Sequence, residues 1–301
     1  MKTVLVTGGT GLIGKHLCLF LKKSGYQVAI LSQIKHNKSE FPVFYWNWEK
    51  QEIDETALRN SDYIVHLAGA NIAGQRWSES RKKLILDSRV ESTLFLQNKI
   101  KELNLSPSAF ICASAVGYYG MVTNPHIYKE SDAPASDFLG IVCSEWEKAA
   151  QKVYDTRIRT VQLRTGIVLT STGGALQKMS KPIQSGIGSP LGSGKQFVPW
   201  IHIDDLCQMY LDAIQNVHLH GAYNACAPEH HTNRSLTKAI AQALNKTLWL
   251  PPVPSFVLQI MFGEMSKLLL FGSRVSPDKI KSTGFSFQYP NLKKALKHLL
   301  H

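Results

Sequence analysis

The chain begins with a short apolar run at residues 3–7. A glycine-rich turn follows, and then residues 12–23, where apolar positions recur every three or four residues. That spacing gathers apolar side chains on one helical face, so it predicts a strand, a tight turn and an amphipathic helix. Gly25 marks the helix stop, and residues 27–31 read as the next strand. Further strand-like runs stand at 63–67 and 109–113, with a long helical pattern over 80–103 between them. Such alternation predicts a parallel sheet covered by helices on both faces. No internal repeat or low-complexity tract interrupts it.

After about residue 170 the texture changes. Residues 172–194 are rich in Gly and Ser and are punctuated by Pro182 and Pro190. Pro251, Pro252 and Pro254 mark a second boundary, followed by an apolar helix and a Lys-rich C-terminal helix. These pieces predict a smaller lobe laid over the carboxyl edge of the sheet.

The first turn carries chemistry. Thr7-Gly8-Gly9-Thr10-Gly11-Leu12-Ile13-Gly14 joins the first strand to the first helix, with glycines at 8, 11 and 14. Gly8 permits the tight turn, Gly11 lets the backbone approach a pyrophosphate, and Gly14 lets helix and strand pack closely. The helix N-terminus faces the anion. In strand–turn–helix context this pattern predicts a dinucleotide site with contacts from Gly8, Thr10, Gly11, Leu12, Ile13 and Gly14. A carboxylate normally ends the second strand where the 2′-hydroxyl of NAD is read. Here Ser32, Gln33 and Lys35 stand there instead, which favours NADP over NAD.

The fold class expected is therefore α/β: a Rossmann-like doubly wound parallel sheet with a smaller α/β C-terminal substrate lobe. Residues 1–170 form the NADP-binding domain, to which 201–227 return, and 171–200 with 228–301 form the lobe.

Composition bounds the rest. The 301 residues are 44% hydrophobic and 19% charged, the balance of a folded protein with a real core. No apolar run reaches the ~18 residues of a membrane span. The start leaves no room for a signal peptide, and the five scattered cysteines form no C-x-x-C pair. Both features point to a reducing cytoplasm. The net charge of +12 is dispersed, without interleaved aromatics, so neither nucleic acid nor membrane is an expected partner. His230 and His231 would face opposite ways in a strand and lack a third ligand, so no metal is expected. His202 with Asp204 and Asp205 reads as a structural tie.

Several segments together resemble one family. They are His66-Leu67-Ala68-Gly69-Ala70-Asn71-Ile72, Arg76-Trp77, Ser88-Arg89-Val90, Ser114-Ala115-Val116-Gly117-Tyr118-Tyr119-Gly120, Trp146-Glu147 and Leu163-Arg164-Thr165-Gly166-Ile167-Val168-Leu169. Gly192-Ser193-Gly194 leads to Trp200-Ile201-His202-Ile203-Asp204-Asp205, and Gly263-Glu264, Arg274-Val275 and Gly284-Phe285 close the chain. This set resembles the atypical extended short-chain dehydrogenase/reductases labelled epimerase family proteins, some of them labelled cell-division inhibitors. The resemblance implies that Leu67, Ala68 and Gly69 lie against the cofactor, with Gly166 and Val168 near the nicotinamide. It places Ser88 and Arg89 beside the pyrophosphate. It also implies a homodimer formed through helices that follow the strands near 62–67 and 109–113. Gln33 departs from the Arg usual in the family.

One absence dominates. Enzymes of this superfamily use a Tyr as acid/base and a Lys four residues later, because a phenol near pKa 10 is a poor base without an adjacent cation. The only Tyr with a Lys at +4 is Tyr289, far into the lobe. Where the pair belongs, Phe138 with Val142 or Leu139 with Cys143 stands in its place. Substitute acid/base candidates are Ser114, Tyr118 and Tyr119, with Cys143 and Glu147 behind them. Gln196, Trp200 and Arg274 are candidate substrate contacts. Two readings follow: an NADP(H)-dependent oxidoreductase or epimerase-like enzyme acting on a small carbonyl or hydroxyl substrate, or a catalytically weak, nucleotide-responsive regulatory protein.

Overall fold

The computed structural model describes residues 1–34, 39–154 and 158–301. Its strands are β1 (Thr3–Thr7), β2 (Gln27–Ser32), β3 (Val43–Asn47), β4 (Glu52–Ile53), β5 (Tyr63–His66), β6 (Ala109–Ala115), β7 (Ile127–Tyr128), β8 (Thr160–Thr165), β9 (Ile167–Leu169), β10 (Trp200–His202), β11 (Gly221–Ala225) and β12 (Arg274–Val275). Eight of them make one sheet in the order β11-β8-β6-β5-β1-β2-β3-β4. Every pairing in it is parallel except β3 with β4. The order reverses at β1, the switch point where open α/β sheets bind ligands beyond their strand ends.

The helices are α1 (Leu12–Lys23), α2 (Glu55–Arg59), α3 (Glu79–Glu102), α4 (Phe138–Tyr154), α5 (Gly174–Gln184), α6 (Ile203–Gln215), α7 (Asn233–Ala243), α8 (Ser255–Phe262), α9 (Lys267–Leu270), α10 (Asp278–Lys281) and α11 (Leu292–Leu300). Strand side chains alternate faces, and the two cores follow that alternation. Val4, Val6, Val65, Ile111 and Leu163 pack under α1 and α6. Leu5, Leu31, Ile64 and Phe110 face Phe95, Leu96 and Trp146 of α3 and α4. Each such fully buried aliphatic side chain contributes roughly 1.5–3 kcal/mol, which is why these runs read so clearly as strands.

A third core, around Trp200, Leu236, Ile240, Tyr289 and Leu296, unites α5, α7 and α11. The apolar helix predicted after the prolines is not continuous. Gly263, at φ 59°, ends α8, and a 3₁₀ turn over Gly263–Ser266 leads into α9. This segment is tied back to the sheet domain. Arg76 donates to the last-turn carbonyls of Ile260 and Met261, and Lys82 pairs with Glu264 at 2.5 Å. No helix among the described residues is long and apolar enough to cross a membrane.

Candidate functional site

The glycine turn shows why each glycine is needed. Gly8 has φ 68°, and a Cβ there would meet Ala68 N and Leu67 C at 3.0 Å. A Cβ on Gly14 would lie 2.2 Å from the Gly8 carbonyl oxygen, so only glycine lets α1 start this close to the turn. Gly11 is the N-cap of α1 and supplies no side-chain cap, and the first turn holds no acidic residue. The leading amides of Leu12, Ile13 and Gly14 therefore point out of the helix start without an acceptor among the described residues, which is the arrangement that binds a phosphate. Thr10 is half-buried within the turn. Leu12 reaches the start of α5, where Cβ atoms on Gly173 and Gly174 would come within 3.2 and 2.9 Å of it.

A buried hydrogen-bond chain fixes the neighbouring loop. Thr7 Oγ1 accepts from the Leu67 and Ala68 amides at 3.1 Å and lies 2.7 Å from His66 Nδ1. With both lone pairs engaged, the Thr7 hydroxyl donates to Nδ1, so the His66 proton sits on Nε2 and faces Ser92 Oγ at 3.2 Å. Ser92 in turn donates to the Ser88 carbonyl, and Ser88 Oγ accepts from Ala70 N–H. Burial, and then the Arg89 charge, push the His66 pKa down to about 3, so the ring is neutral. The chain of groups links β1, β5 and α3 beneath Leu67, Ala68 and Gly69. The pattern had offered His66 no role of its own, because its partners lie 59 and 26 residues away in sequence.

At the end of β2, Ser32 is buried and its Oγ accepts from Ile34 N–H. Gln33 is exposed. Lys35 lies outside the described residues. Gly166 bridges β8 and β9; a Cβ there would meet the Pro199 carbonyl oxygen at 2.7 Å. Val168 is half-buried against the core under α1 and α6.

The three acid/base candidates differ sharply. Ser114 donates to Glu147 Oε1 at 2.6 Å. Glu147 is gripped by Arg164, whose Nε and Nη2 each donate at 2.8 Å. Burial alone would lower the Arg164 pKa, but its hydrogen bonds and charge pairing with Glu147 raise it above the usual range. Tyr119 is 1% exposed; its hydroxyl donates to Asn224 at 2.7 Å and accepts from Arg164 at 2.9 Å. Burial raises its pKa further. Tyr119 is thus a structural tie, which corrects its candidacy as an acid/base. Tyr118 is half-buried, with the Arg164 guanidinium 3.4 Å above its ring, and its hydroxyl has no hydrogen-bond partner among the described residues.

The structure also decides between the two registers for the missing pair. A Cβ on Gly117 would lie 3.3 Å from Leu139 Cβ and 3.6 Å from Cys143 Sγ, so these two face the turn after β6. Phe138 instead stacks edge-on with Trp77 at 4.9 Å. That approach to the turn favours the Leu139 and Cys143 register over Phe138 with Val142. Burial pushes the Cys143 thiol up to about 12, which leaves it protonated and inert.

Two substrate candidates are corrected. Trp200 is 0% exposed in the lobe core, and its Nε1 donates to the Glu229 carbonyl. Gln196 is buried, and its Nε2 donates to the Leu191 and Leu269 carbonyls, tying the loop at 191 to α9, while its Oε1 has no partner among the described residues. Arg274 is half-buried over the Phe197 ring, and its Nε has no hydrogen-bond partner among the described residues. His202, Asp204 and His298 bring one ligand atom each within 4.8 Å of one another. His202 Nδ1, however, accepts from Asp204 N–H, so its proton sits on Nε2 and donates to His298 Nδ1 at 3.1 Å. That cluster is a tie between α6 and α11.

Comparisons with known proteins agree with this architecture. Residues 4–226 match the family model described as the NAD dependent epimerase/dehydratase family, and residues 253–299 match a domain of unknown function (DUF1731). An epimerase family protein of Staphylococcus aureus is 36% identical over 305 residues, spanning 100% of this chain and 99% of the relative. The crystal structure of a human epimerase family protein with NADPH superposes with a TM-score of 0.89 at 35% identity, covering 99% of this chain and 98% of that one. A nucleoside-diphosphate sugar epimerase from Corynebacterium glutamicum gives 0.80 at 30% identity, over 99% of this chain and 58% of that one.

Proposed function

The chain belongs to the NAD dependent epimerase/dehydratase family, and from that premise we propose that it binds NADP(H) and acts as an oxidoreductase or epimerase-like enzyme on a small carbonyl or hydroxyl substrate. The observation that carries the cofactor reading is the uncapped, acid-free N-terminus of α1 behind the Gly8 turn. Preference for the 2′-phosphorylated form is supported by the end of β2, where Ser32 and Gln33 replace a carboxylate. The human relative crystallised with NADPH supports it too.

When bound, a nicotinamide supplies or takes a hydride at the substrate carbon. The amides of residues 12–14 hold the phosphates, and the Thr7–His66–Ser92 chain keeps the loop at 67–70 in place. Ser114 has committed its proton to Glu147, so its oxygen accepts from a substrate hydroxyl rather than donating to a carbonyl. Tyr118 offers the free hydroxyl of the three candidates.

The regulatory reading rests on a specific observation as well: Leu139 and an inert Cys143 stand where the proton-transfer pair belongs. The deciding experiment titrates the protein with NADPH, NADH, NADP⁺ and NAD⁺ by thermal shift and nicotinamide fluorescence, then screens carbonyl substrates with NADPH. A ligand at 100 times its Kd stabilises the fold by about 2.7 kcal/mol. Tighter binding of the 2′-phosphorylated pair with turnover supports the enzyme. The same binding with no turnover across the screen supports the regulatory protein. Binding of none of the four refutes both.

A further inference from the structure

Placing Cys143 at the Lys position removes a cation from α4, yet a cation still stands beside that position. Arg89 projects from α3, and its Nη1 donates to the carbonyls of Ala70 at 3.1 Å and Ile85 at 2.9 Å. Its guanidinium carbon lies 5.2 Å from the ring centroid of Trp146, one turn along α4 from Cys143. A Cβ on Gly69 would lie 3.1 Å from that same carbon. The side chain therefore sits against the loop that ends β5, on the α4 side of it. The glycine turn abuts the other end of the same loop, where Gly8 meets Leu67 and Ala68.

Among the described residues no carboxylate forms an ion pair with Arg89. Its titratable neighbours are the neutral His66, the thiols of Cys143 and Cys112 and the cation of Arg81, and burial holds its pKa below the usual guanidinium value. Nε and Nη2 make no hydrogen bond to the described residues. A half-buried cation with spare donors and no counter-charge among the described residues is open to a ligand that supplies acceptors.

We propose that Arg89 is a positioning residue beside the place of the missing lysine, its free N–H groups donating to the hydroxyls of the nicotinamide ribose. The inference rests on the NADP(H) reading above. Its geometry follows from the loop. Phosphates held by the amides of residues 12–14 would lie at the glycine turn beside Leu67 and Ala68, so the part of the dinucleotide passing Gly69 toward Cys143 would be the nicotinamide half.

The test compares NADPH with 2′,5′-ADP, which keeps the 2′-phosphate and one phosphate of the bridge but lacks the nicotinamide ribose. Affinities of both are measured by calorimetry for the parent, Arg89→Gln and Arg89→Lys. The expected result is at least a tenfold loss of NADPH affinity in Arg89→Gln, partial recovery in Arg89→Lys, and 2′,5′-ADP affinity within twofold throughout. Retained 2′,5′-ADP binding also shows that the variant is folded. Equal weakening of both ligands overturns the proposal, since Arg89 would then serve the adenylate half or the fold. Unchanged NADPH binding overturns it too. A parent that binds neither ligand removes the NADP(H) reading and Arg89's role with it, an outcome distinct from failure of Arg89 alone.

Discussion

Two buried histidines make stability depend steeply on mild acid. Burial and the Arg89 charge hold His66 at a pKa of about 3. Burial holds His202 at about 4, with Asp204 opposing the shift and His298 and His16 adding to it. Both folded values lie below the ~6.5 of an unfolded histidine. The stabilisation is therefore complete above that value and is lost as pH falls through the window toward 4 and 3. At pH 5 the unfolded chain binds nearly one more proton at each site, which costs about 2 kcal/mol per histidine and about 4 kcal/mol together relative to pH 7.5. The limiting slope is about 2.7 kcal/mol per pH unit. Asp205 and Asp212, raised by burial, oppose the trend at the acidic end, so the informative window stops at pH 5. Urea unfolding midpoints at half-unit steps from pH 7.5 to 5 measure the slope. His230, also lowered by burial, adds to the slope, so His202→Asn, which keeps an acceptor for the Asp204 amide, should reduce the slope without abolishing it. A parent whose stability is flat across the window, or a variant with the full slope, refutes the assignment of neutral, buried histidines.

Four further outcomes follow from the site. Gly14→Ala sets a Cβ 2.2 Å from the Gly8 oxygen, so it should weaken NADPH binding at least tenfold by fluorescence titration; an unchanged affinity would mean the turn does not hold the phosphates. Glu147→Ala strands the buried Arg164 guanidinium and should cost about 3–5 kcal/mol in chemical denaturation; a loss under 1 kcal/mol would show that water reaches the pair. Tyr119→Phe should cost about 1–3 kcal/mol by leaving Asn224 Oδ1 and an Arg164 donor unpaired. Tyr118→Phe should leave stability within about 0.5 kcal/mol while abolishing any turnover found in the parent; the opposite pattern would exchange the roles of the two tyrosines.

Which parts of the molecule could be read from the chain follows from how locally each is specified. The turn at 8–14 was legible because its constraint is a backbone one: no Cβ fits at Gly8 or Gly14, and glycine is the visible record of that. The central strands were legible because both their faces are buried, which leaves continuous apolar runs. The two-residue strands β7 and β12 carry no such record, since they pair with each other across a long stretch of sequence. Trp200 looked like a ligand platform because its indole is polar at one edge, but that edge is satisfied by a carbonyl 29 residues on. The Ser114–Glu147–Arg164–Tyr119 network was invisible for the same reason. Its members come from β6, α4, β8 and the turn after β6, and none signals the others in sequence. The Leu139–Cys143 register shows the limit most clearly. Both readings of residues 137–143 were equally apolar, and only the approach of Gly117 separates them. The separation has a chemical consequence. With Cys143 at the lysine position, a cation without an ion pair among the described residues stands beside it on a different helix, and Tyr-x-x-x-Lys spacing does not reach Arg89.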